Sequence, residues 1–476
     1  MASCFNRAHG KLNRIGCLAL AGLVVGGSTA KLCRSAVGAE DSNIKIEVQV
    51  VSTAGSDATM GAGVLPASHQ QVKLITPLEE NSRFKLVSFC VTKDGRIVAV
   101  LNRQDAASAA SGGILSMVVA AFSKSDANRT PTDDAAADAK KPSDSIAEVC
   151  ILDADGKQTA RWPLDFQAQA VNVCPDGMLV LGGAGVLARY DLDGKELARA
   201  ESPHIVDSRK DPDRLKQQAR EMVEQQRSSM KEALKSLKTQ KEELSKKDDQ
   251  SLTADERQAK NQIDQIVATY KQRVAQQGDK PVTDQEVEAM VQSLTERAQR
   301  INAIACNGKF IFCTAPASKG YGYSVWRTDL SFENPKRIVD GLSGCCGQMD
   351  IQCCGDGIVV AENSRKRVVR YDGDGKEIAS WGKASRDAEI EAETFGSCCN
   401  PMNTRPVGDK LYVSDSDGRV RRFTLDGKYE SEVGKADVSP GCKSSIVDVS
   451  PDGNRVYYID VNNSKICVLD RKPATE

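Results

Sequence analysis

A unit of about fifty residues that returns with its turns in register constrains this chain more than any other feature. The clearest copy reads Gly357-Ile-Val-Val-Ala-Glu-Asn363, Arg367-Val-Val-Arg-Tyr371, Asp374-Gly-Lys-Glu-Ile378 and Trp381-Gly382. The next reads Lys410-Leu-Tyr-Val-Ser-Asp415, Gly418-Arg-Val-Arg-Arg-Phe423, Asp426-Gly-Lys-Tyr429 and Val433-Gly434. Each copy is a strand, a polar turn, a second strand of alternating pattern, an Asp-Gly turn and a third strand. Partial copies lie around Arg96–Leu101 with Val149–Asp153, around Met178–Gly182 with Asp193-Gly-Lys, around Lys309–Cys313 with Ser324–Thr328, and around Arg455–Asp460 with Ile466–Asp470. An ordinary sandwich has no reason to keep such a period, whereas repeated sheets around an axis do.

These residues resemble the NHL-repeat family, whose unit folds as one four-stranded blade of a β-propeller. The resemblance implies an all-β chain, an NHL-like β-propeller of about six blades, and the residues between the second and third blades read separately as an inserted α-helical, coiled-coil-like arm. Residues 345 to 434 carry it best. The expected organisation is a signal segment at 1–39, N-terminal strands at 40–83, two blades at 84–204 interrupted by a low-complexity loop at 105–145, a helical insertion at 205–303, and the remaining blades at 304–472. The strands around Ile44–Val51 and Val72–Ile75 are placed to complete the last blade, which removes an exposed sheet edge. A small separate hairpin is the other use of those residues.

The first residues carry Arg7, Lys11 and Arg14, then an apolar run from Ile15 to Val25, then small residues. This is the pattern of a secretory signal, with cleavage expected after Ala39. An uncleaved anchor is the alternative, weakened by Lys31 and Arg34. Either way the mature chain is expected in the periplasm or cell envelope. With 64 Lys and Arg against 65 Asp and Glu, no net field draws the chain to nucleic acid, and a nucleic-acid partner is not expected.

The helical insertion opens at Asp211-Pro212. Leu215, Ala219, Met222, Val223, Met230, Leu234, Leu237 and Leu244 follow, mostly at three- and four-residue spacing. Thr253 with Glu256 and Thr283 with Glu286 form two further capping boxes. A helical hairpin or three-helix arm follows. It either packs on itself, as amphipathic helices usually do, or mediates self-association.

The sharpest chemical signal is a repeated cysteine motif. Ser343-Gly-Cys345-Cys346-Gly-Gln-Met-Asp350 aligns with Gly396-Ser-Cys398-Cys399-Asn-Pro-Met-Asn403, and Pro440-Gly-Cys442 is a weaker third copy. Cys346, Cys399 and Cys442 each stand ten residues before a turn aspartate, Asp356, Asp409 and Asp452. The resemblance places these segments where the chain enters an innermost strand, so the five thiols ring one mouth of the channel. Cys90, Cys174 and Cys354, with Cys306 nearby, fall toward the opposite end. Of sixteen cysteines, thirteen remain after cleavage at Ala39, and so many in an exported chain point to disulfides between weak repeats. A thiolate-bound metal (zinc, copper or an iron-sulfur cluster) and redox-active thiols are the competing readings.

The chain has only His9, His69 and His204, so a histidine-based triad on the blades is not expected. Gly182-Gly-Ala-Gly185 lacks a following Gly-Lys-Ser and reads as a blade turn. One enzyme class stays open by analogy: metal-dependent, gluconolactonase-like hydrolases share the six-bladed plan, and Asp350, Asn403, Glu362, Asp415 and Asp448 are candidates to line the channel. The leading expectation is a non-enzymatic scaffold that takes a protein or small-molecule ligand at the channel mouth. A metal-dependent or redox enzyme is the alternative.

Overall fold

The computed structural model describes residues 49–50, 67–104, 145–246, 254–277, 280–317, 322–345, 348–384, 393–396, 399–439 and 445–473. The signal-like segment, most of the low-complexity loop, the Thr253 capping box, Cys346, Cys398 and Cys442 lie outside the described residues.

Apart from a short parallel pair, Lys383–Ala384 with Thr394–Phe395, the strands form successive antiparallel sheets, all but the last a meander in sequence order. The first comprises Phe84–Val91, Ile97–Arg103, Ala147–Leu152 and Gln158–Leu164. The second comprises Ala170–Val173, Leu179–Gly183, Val186–Tyr190 and Glu196–Glu201. The third is Ile304–Cys306, Phe310–Pro316, Tyr323–Asp329 and Lys336–Leu342. The fourth is Asp350–Cys354, Gly357–Glu362, Arg367–Tyr371 and Glu377–Trp381. The fifth is Asn403–Val407, Lys410–Ser414, Arg419–Thr424 and Tyr429–Lys435. In the last sheet Val447–Val449, Arg455–Asp460 and Lys465–Arg471 are joined by His69–Ile75, which pairs along Lys465–Arg471, and by Gln49–Val50 beyond it.

Polarity explains the order of strands within a sheet. The second strand Gly357–Glu362 is buried throughout, whereas the fourth, Glu377–Trp381, is exposed or half-buried. Residues flanked by sheets on both sides are apolar unless a polar group finds a partner, as Glu362 does, and those at the rim need not be. The apolar side chains between sheets form the core. Val359 and Val368 of the fourth sheet pack with Leu411 and Phe423 of the fifth. Tyr457 and Ile466 of the last pack with Leu86 and Leu101 of the first, which joins the two ends of the series. First strands of neighbouring sheets touch in the same cyclic order, last to first included. Sheets packed face to face around a common axis with no open end are a β-propeller.

The Asp-Gly turns earn their glycines twice. Gly427 has φ 92°, and a Cβ there would stand 2.3 Å from the indole of Trp381 on the preceding sheet. Gly156 has φ 88° and lies against Ile75, the strand supplied by the N-terminal segment. In the third sheet the same turn is made without glycine: Asp329 Oδ1 accepts from the N–H groups of Ser331 and Glu333, and Phe332 adopts φ 65°. Its partial repeat signal has this cause.

Between the second and third sheets stand the helices Pro203–Ser208, Pro212–Ser245, Ala254–Gln277 and Asp284–Ala298. Ala219, Met222, Val223, Leu234, Val267 and Val287 are buried, and the longest helix, Pro212–Ser245, packs against each of Ala254–Gln277 and Asp284–Ala298. Arg227 bonds Glu286 at 2.5 Å and Lys241 pairs with Asp264 at 2.6 Å across these contacts. Thr283 and Glu286 make the capping box. The insertion is tied at its base. Gly185 donates to the carbonyl of Gln299 at 2.7 Å, and buried His204 bridges Ser202 and the carbonyl of Ala298 through its two ring nitrogens. Among the described residues no helix is long and apolar enough to cross a membrane.

Candidate functional site

The innermost strands place a polar side chain at one recurring level. Asn172, Gln352, Arg405 and Asp448 each stand four residues before a turn aspartate, Asp176, Asp356, Asp409 and Asp452, and Cys90 stands four before Asp94. The fold brings four of them together. Arg405 Nε lies 2.7 Å from Asp448 Oδ1, and its terminal nitrogen donates to Gln352 Oε1 at 3.0 Å and to Asn172 Oδ1 at 3.4 Å. Asn172 Nδ2 donates to Gln352 Oε1 at 2.9 Å, and Gln352 Nε2 to Asp350 Oδ1 at 3.3 Å. The guanidinium of the fifth sheet thus reaches the second, fourth and last sheets.

The same strands are laced to their neighbours by side chain to backbone bonds. Asp350 accepts from Thr404 N at 2.8 Å and Thr404 Oγ1 at 2.9 Å. Asn403 accepts from Val447 N at 3.1 Å, and Asp448 from Val91 N at 2.8 Å. Asn172 donates to the carbonyl of Ile304 at 3.0 Å. First strands of adjacent propeller sheets are not in ladder contact, so these bonds take the place of a ladder and satisfy polar groups that water does not reach. Burial pushes Asp350 up to about 6, against the pull of its bonds to Thr404. Burial also raises Asp448, with Arg405 pulling it back. The Cys90 thiol beside them is driven up by burial and by the Asp448 carboxylate.

Three sequence candidates, Asp350, Asn403 and Asp448, therefore lie on the innermost strands. Glu362 and Asp415 lie elsewhere, at the ends of second strands. Fully buried Glu362 accepts from Ser343 N at 2.8 Å and pairs with Arg365 and Arg367, each at 2.6 Å. Asp415 pairs with Arg421 at 2.7 Å, and that guanidinium is sandwiched near Phe395 and Phe423 and donates to the carbonyl of Thr394. Burial lifts Asp415 to about 6 although Arg421 opposes it. Both acids lock a second strand to the third. Asn172, Gln352 and Arg405 are not among the sequence candidates, although counting back four residues from the turn aspartates finds all three.

At the end where the chain enters the innermost strands, Cys345 Sγ and Cys399 Sγ lie 3.4 Å apart, one from the segment before the fourth sheet and one from that before the fifth. Cys399 is buried and Cys345 half-buried. At the opposite end Cys174 and Cys306 form a disulfide between the second and third sheets. Among the described residues no three His, Cys, Asp or Glu side chains converge as a metal site would require. Cys346, Cys398 and Cys442 fall outside those residues.

No protein-family profile and no curated protein matches the chain. Among solved structures it is similar to the Pan2 WD40 domain of Neurospora crassa, at 8% identity over 69% of this chain and 71% of that one with a TM-score of 0.33. It is also similar to the Cps50 (Swd1) beta-propeller domain of Myceliophteria thermophila, at 10% identity over 85% and 100% with a TM-score of 0.36. A third is regucalcin, a calcium-binding protein of Agrobacterium tumefaciens, at 10% identity over 69% and 85% with a TM-score of 0.35. The class defined by the strand order and its closure is the β-propeller.

Proposed function

We propose that the chain is an exported, six-bladed, NHL-like β-propeller that serves as a binding scaffold, taking a protein or ligand at the mouth entered by the segments around Cys345 and Cys399. The helical insertion is an arm that packs on itself. Cys346, Cys398 and Cys442 belong to the same mouth in this reading, as disulfides or as thiolate ligands.

One observation carries the preference for binding over catalysis. The polar side chains at the centre are committed to one another: Asp448 to Arg405 and two backbone amides, Asp350 to Thr404 and Gln352, Asn172 and Gln352 to Arg405. A catalytic carboxylate needs a face open to substrate, and a metal-ligating one needs lone pairs to give. These spend theirs holding sheets together, which leaves the mouth as the place for recognition.

The test is site-specific photocrosslinking in the intact cell envelope, with the crosslinker at Gln348 near that mouth or at Asp409 near the other. Adducts from position 348 and none from 409 are expected. Adducts only from 409 overturn the reading. Sequencing the mature N-terminus tests export separately, with Glu40 expected first.

A further inference from the structure

We infer that Cys345 and Cys399 are a disulfide pair that staples the fourth sheet to the fifth at the mouth, formed by exchange with a low-molecular-mass disulfide. The inference deepens the reading above, since it rests on the chain meeting an oxidising compartment and names what rigidifies that mouth.

The geometry is that of partners already aligned. The two sulfurs touch at 3.4 Å although the residues are 54 apart in sequence. Neither segment owes its position to the sulfur contact. Cys345 N donates to Asn363 Oδ1 at 2.7 Å, and Ser343 N to Glu362 Oε1 at 2.8 Å, so this segment is fastened to the second strand of its own sheet. The other is fastened the same way: Asn400 Oδ1 accepts from Ser416 N at 2.7 Å, and Met402 N donates to the carbonyl of Ser414 at 2.8 Å. Asn363 and Asn400 thus hold the two thiols against each other across a sheet boundary. The Cys174–Cys306 disulfide makes the same kind of link between the second and third sheets at the opposite end of the innermost strands.

Exposure sets the order of steps. Half-buried Cys345, as thiolate, attacks one sulfur of the small disulfide, forms a mixed disulfide and releases one small thiol. Buried Cys399, after losing its proton, attacks the Cys345 sulfur and expels the second. Two protein thiols are oxidised, one small disulfide is reduced to two thiols, and the two protons leave with them. Cys399 is buried and Cys345 half-buried, so reduction also begins at Cys345.

The experiment uses purified full-length protein, incubated with oxidised glutathione or with buffer, then unfolded in urea with N-ethylmaleimide so that buried thiols are also alkylated, and digested before aspartate. Asp350 then separates Cys345 from Cys353 and Cys354. Two fewer alkylated thiols are expected after oxidation, with a Cys345–Cys399 linked peptide in the wild type and in C346S/C398S, where the assignment is unambiguous. In Cys345→Ser, Cys399 should be alkylated. Full alkylation of both residues after oxidation overturns the pairing, as does linkage of either to Cys346, Cys398 or Cys442, or stoichiometric bound metal that blocks exchange. Mapping the wild type needs no variant to fold. Because the oxidant is added in vitro, failure here speaks against the pairing, while the N-terminal sequencing above speaks to export.

Discussion

Arg405 on the innermost strand of the fifth sheet holds Asp448 on that of the last sheet at 2.7 Å, and both are close to buried, with Arg405 16% and Asp448 2% exposed. Every other bond made by that guanidinium crosses to a different sheet. A buried pair of this kind adds little over an apolar pair of the same volume, but breaking it strands a charge.

Replacing Arg405 by Met should therefore cost about 3–5 kcal/mol in urea unfolding, because Asp448 is left buried and unpaired. Adding Asp448→Asn should recover part of that loss, since the amide can still accept from Val91 N. A loss in the double variant equal to the sum of the losses in Arg405→Met and in Asp448→Asn alone would show that the pair is not coupled.

Asp350 gives a pH signature. Its folded value is raised to about 6 from 3.8 by burial, so between those values the unfolded chain ionises first while the folded chain keeps its proton. Its contribution is fully present below pH 3.8 and is lost as pH rises through about 6, amounting to about 3 kcal/mol at most. Asp350→Asn does not titrate. Stability of the variant relative to wild type should rise across pH 4 to 6 and level off above, read by chemical unfolding at each pH. Parallel curves would contradict it.

The Cys174–Cys306 disulfide closes a loop across the helical insertion, its ends 132 residues apart in sequence. Cys174→Ala with Cys306→Ala should lower stability by about 2–5 kcal/mol, and reductant should lower the wild type but not the double variant by a similar amount through this bond. Thermal unfolding with and without reductant separates the two effects.

At the start of helix Asp284–Ala298, Thr283 Oγ1 accepts from Glu286 N and Glu286 returns a bond to Thr283 N. Thr283→Ala should weaken this helix by about 1 kcal/mol. Faster amide exchange in residues 284–298, with exchange in the sheets unchanged, is the expected result. Loss of protection in the sheets as well would mean that the insertion and the propeller unfold together.

The repeated strand and turn pattern was legible because its causes are local. Asp374-Gly375 and Asp426-Gly427 need a residue that tolerates positive φ, and alternating apolar residues mark strands wherever they pack. The third sheet was harder to read because Phe332 stands where the others have glycine. Asp350, Asn403 and Asp448 were legible as polar residues on inner strands. Glu362 and Asp415 were not separable from them in sequence, since the arginines that claim them come from the third strands.

What the sequence determined by itself was therefore the unit: which residues form strands, where each turn falls, and that cysteines recur at one position of the repeat. Only the tertiary structure decided which units meet. Arg405 and Asn172 are 233 residues apart, Cys174 and Cys306 132, and Cys345 and Cys399 54. No local preference sets those distances. They follow from packing sheet on sheet until His69–Ile75 lies along Lys465–Arg471 and the last core meets the first.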